Sequence, residues 1–117
     1  MRVAAPFSFE CRADGWQQYE SESWGACRRW IEVLEDQKAA RQIDRYECGR
    51  VLVYDRAHAR DRFGMLIGLM FSKKAKWQNF FAEVSLADAA TFEKAWRRAL
   101  READNRPHGG TQDVVDA

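Results

Sequence analysis

The pattern that most constrains the fold lies near the C-terminus, in residues 85–103. Apolar side chains recur there every three or four positions, as at Phe92 and Trp96, and so share one side of a helix. Ser85 and Asp88 form a capping-box arrangement at the predicted helix start. Because a helix with one apolar side must bury that side, the chain is expected to fold as at least two packed layers.

The opposite side of this predicted helix is basic. Four cations fall where helical periodicity places them away from the apolar stripe: Lys94, Arg97, Arg98 and Arg101. The chain carries 19 basic and 18 acidic residues, so attraction to an acidic partner must come from a local patch of this kind. The patch predicts a contact surface for another protein, acidic on its contact face, or for nucleic-acid phosphates. Alternatively, these cations only complement the helix dipole and keep the domain solvated.

Four further elements are predicted upstream. Residues 3–11 alternate between apolar and polar side chains, which indicates a strand with one solvated face. An apolar stripe at Cys27, Trp30, Ile31 and Leu34 predicts a helix that begins near Ser21 or Ser23 and ends near Gln42. Residues 51–54 and 63–71 are predicted strands, and the second is apolar at nearly every position, which favours a central place in the sheet.

Residues 73–86 fit a strand or a helix, and we interpret them as a strand paired with residues 63–71. The predicted fold class is therefore α+β, with two layers. It comprises an antiparallel sheet of about four strands with two helices on one face, in the order β-α-β-β-β-α. We expect residues 1–104 to form a single domain and residues 105–117, which contain a Pro and a Gly pair, to form a flexible C-terminal tail.

The predicted arrangement leaves one sheet face uncovered. On that face Met65 or Ile67 would be exposed unless a partner or a second copy in a homodimer covered it. Three tryptophans whose facing is ambiguous, Trp16, Trp24 and Trp77, are candidate interface residues because exposed Trp is enriched at binding hot spots. Residues 51–54 and 63–71 are predicted to pair as a hairpin, and its charged tip, residues 55–61, adds three candidate contact residues, Arg56, His58 and Arg60.

The sequence contains no recognisable catalytic, cofactor-binding or metal-binding motif. Its three cysteines are odd in number and widely spaced, which favours buried free thiols in a reducing compartment over disulfides or zinc ligands. No apolar run suits a signal peptide or a spanning helix, so we expect a cytoplasmic protein without membrane association. No catalytic residue, metal or cofactor is therefore predicted.

These observations favour a small non-enzymatic protein-binding module, such as an inhibitor, adaptor or immunity-like factor that acts by surface occlusion. A nucleic-acid-binding domain that uses the basic helix face is the first alternative. A small ligand-binding protein or enzyme with no recognisable motif is the second, since the fold class alone has room for a pocket.

Overall fold

In the computed structural model, which describes residues 5–13, 24–72 and 76–105, the core is a five-stranded antiparallel sheet with the order β4-β3-β2-β1-β5. The strands are β1 (Phe7–Ala13), β2 (Cys27–Val33), β3 (Ala39–Tyr46), β4 (Val51–Asp55) and β5 (Ala82–Ala87). One α-helix, α1 (Ala89–Glu102), follows the last strand. The first four strands form a meander, and β5 returns to pair with β1.

The α+β class is confirmed, but the predicted four strands and two helices are corrected to five strands and one helix among the described residues. The predicted first helix is instead the β2–β3 hairpin. The adjacent residues Trp30 and Ile31 face opposite sides of the sheet, and each packs into a different layer. Because β2 is covered on both faces, its apolar residues fall at consecutive positions and imitate a helical stripe.

Helix α1 covers one face of the sheet. Its buried side packs on β3 and β4 through Phe92, Trp96, Ala99 and Ala103, which contact Ile43, Val51 and Val53. The last helix was predicted close to its observed bounds, but it begins after Asp88 rather than Ser85. Ser85 still belongs to β5, so Asp88 is the residue that caps the helix. Its carboxylate accepts a hydrogen bond from the Thr91 amide at 2.7 Å.

The other sheet face is covered by the long connection between β4 and β5. Its Phe71 and Trp77 rings pack with Phe9 of β1 in one aromatic cluster. Residues 63–71, predicted as a central strand, make only isolated bridges, at Met65 and Met70. Met65 and Ile67 therefore belong to the covering layer, and the expectation of an uncovered sheet face is wrong.

Residues 73–86 were predicted to form a single strand. Those described are a short 3-10 helix (Trp77–Phe80) followed by β5, which pairs with β1 and not with residues 63–71. Glu83 has a positive φ of 55° at a register shift between β5 and β1. This bulge turns Glu83 toward Arg12 and Arg28.

The outer edge of β4 is closed by the residues that follow α1. The Asp104 carboxylate accepts from the Val51 amide at 3.0 Å, and the Asp104 amide donates to the Val51 carbonyl at 2.8 Å. Asn105 makes the same two-way contact with Val53, at 2.8 and 3.0 Å. Asn105, assigned from sequence to the flexible tail, is thus anchored to the sheet, and the rest of that predicted tail lies outside the described residues.

Within the described part of the chain, no helix combines the length and apolar character needed to cross a membrane.

Candidate functional site

The four cations predicted from the sequence lie together on the exposed face of α1. Lys94, Arg97, Arg98 and Arg101 are all exposed, and the Arg97 side chain is 71% accessible. The helix extends for about 21 Å at 1.5 Å per residue, so these side chains line a basic ridge. We call this set of four residues the basic ridge.

Two glutamates border the basic ridge, and each also binds an arginine of the sheet. Glu93 lies 3.0 Å from Arg41 Nη2 and 3.7 Å from Arg97 Nε. Glu102 lies 2.7 Å from Arg45 Nη1 and 3.1 Å from Arg98 Nε. Hydrogen bonds from Arg41 and Arg45, respectively, are the largest influences that lower the pKa of Glu93 and of Glu102, so both carboxylates stay ionised at neutral pH.

Arg41 joins the helix to the sheet beneath the basic ridge. Its guanidinium forms a two-bond ion pair with Glu32, at 2.7 and 2.8 Å, and also binds Glu93. The same guanidinium lies 5.1 Å from the Phe92 ring centroid and 5.2 Å from that of Trp96. Cation–π and ionic contacts therefore fix the orientation in which α1 presents the basic ridge.

Two of the three tryptophans predicted as interface residues are described, and they do not form an exposed surface. Trp77 is only 1% exposed, at the centre of the aromatic cluster, so its indole cannot meet a partner. Trp24 is half-buried against Tyr46 and Phe63, with Arg50 above its ring at 5.1 Å. Trp16 lies outside the described residues.

Two of the three candidates at the predicted hairpin tip support the fold. Arg56 donates to the carbonyls of Lys38 and Ala39 and binds Asp36 at 2.9 Å. His58 Nε2 lies 2.9 Å from Asp61 Oδ2. Arg60 is exposed and forms an isolated bridge with Met65. These three residues do not extend the basic ridge, because they belong to the connection that covers the opposite sheet face.

Asp61 organises a hydrogen-bond network that could not be recognised from the sequence. Its carboxylate accepts hydrogen bonds from the Tyr54 hydroxyl and the Asn105 amide, both at 2.9 Å, and it contacts His58. Burial acts to raise the pKa of Asp61, but these bonds and one from the Phe63 amide outweigh it and hold the pKa below its ordinary value. The network fixes the covering connection to β4 and to the end of α1.

A second unpredicted network lies on the sheet face that the β4–β5 connection covers. Arg29 donates to Asp44 through Nε at 2.7 Å and Nη2 at 3.1 Å, and both side chains are at most 5% exposed. Gln42 Nε2 donates to Asp44 and to the Met65 carbonyl, while Gln42 Oε1 accepts from the Ile67 amide at 2.8 Å. The only sequence signal was the presence of polar residues at inward positions of two strands, and it does not identify the partners.

A cavity of about 450 Å³ lies above Arg29. Two arginines, Arg12 and Arg29, contribute to its lining, and among the described residues that line it none is acidic. Most of the remaining wall is apolar and is formed by Met65, Ile67, Phe80 and Phe81, together with Ala13, Gly68 and Ala82. Its volume is within the range of small-molecule sites.

The two buried thiols are poorly suited to chemistry. Burial raises the pKa of Cys11 to about 11 and is also the largest influence that raises the pKa of Cys27, well above the usual thiol range. Cys48 is exposed in the turn between β3 and β4. Among the described residues, no group of three or more His, Cys, Asp or Glu side chains is arranged to hold a metal ion.

Comparisons of the chain with protein-family models, with curated proteins and with solved structures found no match.

Proposed function

We propose that this protein is a small non-enzymatic protein-binding module whose basic ridge contacts an acidic surface of a partner protein. The observation that carries this proposal is the unequal distribution of charge on α1. Lys94, Arg97, Arg98 and Arg101 face outward, while Glu93 and Glu102 are each shared with an arginine of the sheet. The carboxylates therefore neutralise the basic ridge only in part.

A rigid base supports this role. Side chains on a docked helix lose less conformational freedom on binding than side chains on a mobile loop. Arg41 and the buried Phe92 and Trp96 rings hold α1 on the sheet, so the ridge cations are presented in a fixed geometry. Complementary charge of this kind accelerates association and selects partners of opposite sign.

A protein partner is favoured over nucleic acid by the side chains within the helix. Glu93 and Glu102 border the basic ridge, 3.7 Å from Arg97 and 3.1 Å from Arg98, and a phosphate backbone placed along the helix would lie close to these carboxylates. The large apolar rings of α1, Phe92 and Trp96, are buried and do not offer a surface for base stacking. A protein surface can place its own cations opposite the two glutamates.

The proposal is tested by affinity capture followed by direct binding. Tagged wild-type protein and the double variant Arg97→Glu/Arg101→Glu are used to capture partners from a nuclease-treated lysate of the source organism. The captured protein is then purified and titrated against both forms. We expect the double reversal to weaken binding by at least roughly tenfold, and we expect wild-type affinity to fall as salt is increased.

Arg60→Glu is the matched control, because Arg60 is an exposed cation on the connection that covers the other sheet face. It should bind like the wild type. Equal binding by the wild type and the double variant would contradict the proposal. Loss of all capture after nuclease treatment would instead identify nucleic acid as the ligand.

A further inference from the structure

The cavity above Arg29 differs from an ordinary packing defect in the composition of its floor and its rim. Empty voids in protein cores are few and small, and they are usually lined by apolar groups. Here the floor includes the Arg29 guanidinium, whose side chain is only 5% exposed. At the rim the Phe80 ring is 66% exposed, an unusual position for a side chain of this size.

The cavity is held open by hydrogen bonds rather than by loose packing. Gln42 binds the Met65 carbonyl at 3.0 Å and the Ile67 amide at 2.8 Å, which fixes one wall. Asp44 binds Arg29 through two bonds, which fixes the floor. A site that is already arranged in this way loses little entropy when a ligand enters.

The charges of the lining define the class of ligand. Among the described residues that line the cavity, the two charged ones are both arginines, Arg12 and Arg29. Their carboxylate partners, Glu83 and Asp44, are not part of the lining. Guanidinium groups form strong, directed hydrogen bonds with carboxylates. The rest of the cavity requires an apolar group, because Met65, Ile67, Phe80 and Phe81 surround it.

We propose that this cavity is a binding site for a small amphipathic monocarboxylate. The carboxylate would lie toward Arg12 and Arg29, and the apolar body would lie between Ile67 and the Phe80 ring. No residue of α1 lines the cavity, so this site is independent of the basic ridge. Failure of the partner-binding proposal would leave it unaffected.

The test is a titration of the full ¹⁵N-labelled chain with octanoate, followed by NMR, with octanol as the uncharged ligand of matched length. We expect saturable shifts of the Ile67, Gly68 and Ala82 amides with octanoate. Octanol should bind at least roughly tenfold more weakly, because it cannot form charge-assisted hydrogen bonds with guanidinium groups.

Two variants on the rim, Phe80→Ala and Arg12→Gln, are each expected to weaken octanoate binding by roughly five- to tenfold. Their side chains are exposed, so folding should be preserved, and circular dichroism checks this. Leu86→Ala removes an exposed apolar side chain that does not line the cavity and should bind octanoate normally. The proposal is overturned if octanoate causes no saturable shifts, if octanol binds equally well, or if neither rim variant weakens binding.

Discussion

Arg29 and Asp44 form a two-bond ion pair across β2 and β3, with donor–acceptor distances of 2.7 and 3.1 Å and almost no access to solvent. Burial works against the charge of Arg29, but Asp44 holds the guanidinium pKa above its ordinary value. The Arg29 guanidinium is therefore charged within the sheet face that the β4–β5 connection covers. The effect of the ion pair on stability differs from that of the exposed ion pairs on α1.

Removal of only one member of this pair should be strongly destabilising. We expect Asp44→Ala to lower the free energy of unfolding by about 3–5 kcal/mol, because it leaves a buried guanidinium without its carboxylate. The double variant Arg29→Met/Asp44→Leu should recover most of that loss, since apolar side chains carry no desolvation cost. Urea-induced unfolding measures both. Glu102→Gln, at an exposed pair, should change stability far less than Asp44→Ala does, and an equally small effect of Asp44→Ala would contradict the prediction.

The Asp61 network should make stability depend on pH in the acid range. Its folded-state pKa is lowered, so its stabilising contribution is present above the unfolded-state pKa of about 3.9 and is lost as pH falls through the lower folded-state value. At neutral pH, Asp61→Asn should lower the free energy of unfolding by about 1–3 kcal/mol. The difference from the wild type should shrink as pH falls below about 4.

Urea unfolding of the wild type and Asp61→Asn across this pH range tests the Asp61 prediction. Leu86→Ala serves as the uncharged control and should differ from the wild type by the same amount at every pH. A gap between Asp61→Asn and the wild type that stays constant, or widens, toward acid pH would disprove this role of Asp61.

Asn105 should protect the outer edge of β4. Asn105→Ala removes its bonds to the Val53 amide and carbonyl and its bond to Asp61. We expect a loss of about 1–3 kcal/mol in stability, faster hydrogen exchange at the Val53 amide, and association that increases with protein concentration as the edge opens. Arg97→Ala, an exposed change on α1, is the control. Unchanged exchange at Val53 would show that Asn105 does not close this edge.

The three cysteines should differ in reactivity. Cys11 and Cys27 are buried, and burial raises the pKa of each thiol, whereas Cys48 is exposed. The native protein should therefore react with one equivalent of a thiol reagent at about pH 8, while all three cysteines should react in denaturant. Cys48→Ser should abolish the native reaction. Rapid labelling of Cys11 or Cys27 in the folded protein would be inconsistent with the described core.

Two of the elements predicted correctly have a local environment, and a third, the strand in residues 51–54, is observed as β4. The alternation in residues 3–11 indicated a strand that is observed as β1, and the stripe containing Phe92 and Trp96 indicated α1. Each has one buried side, so its periodicity survives in the sequence. The basic ridge was recognisable for the same reason, because a helix with one buried side leaves its other face to charged residues.

The β2–β3 hairpin was misread because two different layers cover its strands. Trp30 packs under α1, whereas Ile31 packs under the β4–β5 connection, so consecutive apolar residues gave no strand periodicity. Arg29 and Asp44 then placed charges at buried positions. Their compatibility with the core depends on a partner 15 residues away, and single-sequence patterns do not identify such a pairing.

By itself, the sequence determined two elements: a strand near the start of the chain, and an amphipathic C-terminal helix with a basic outer face. Both could be determined because helix and strand periodicities are local properties. Only the tertiary structure decided what covers each sheet face. Because both sheet faces are covered, residues 27–46 form the β2–β3 hairpin and Trp77 is buried. The same covering layer places two arginines in the lining of a cavity. These outcomes depend on contacts between residues that are distant in the sequence. The free-energy cost of burying one side chain is offset by a partner side chain that the local pattern does not reveal.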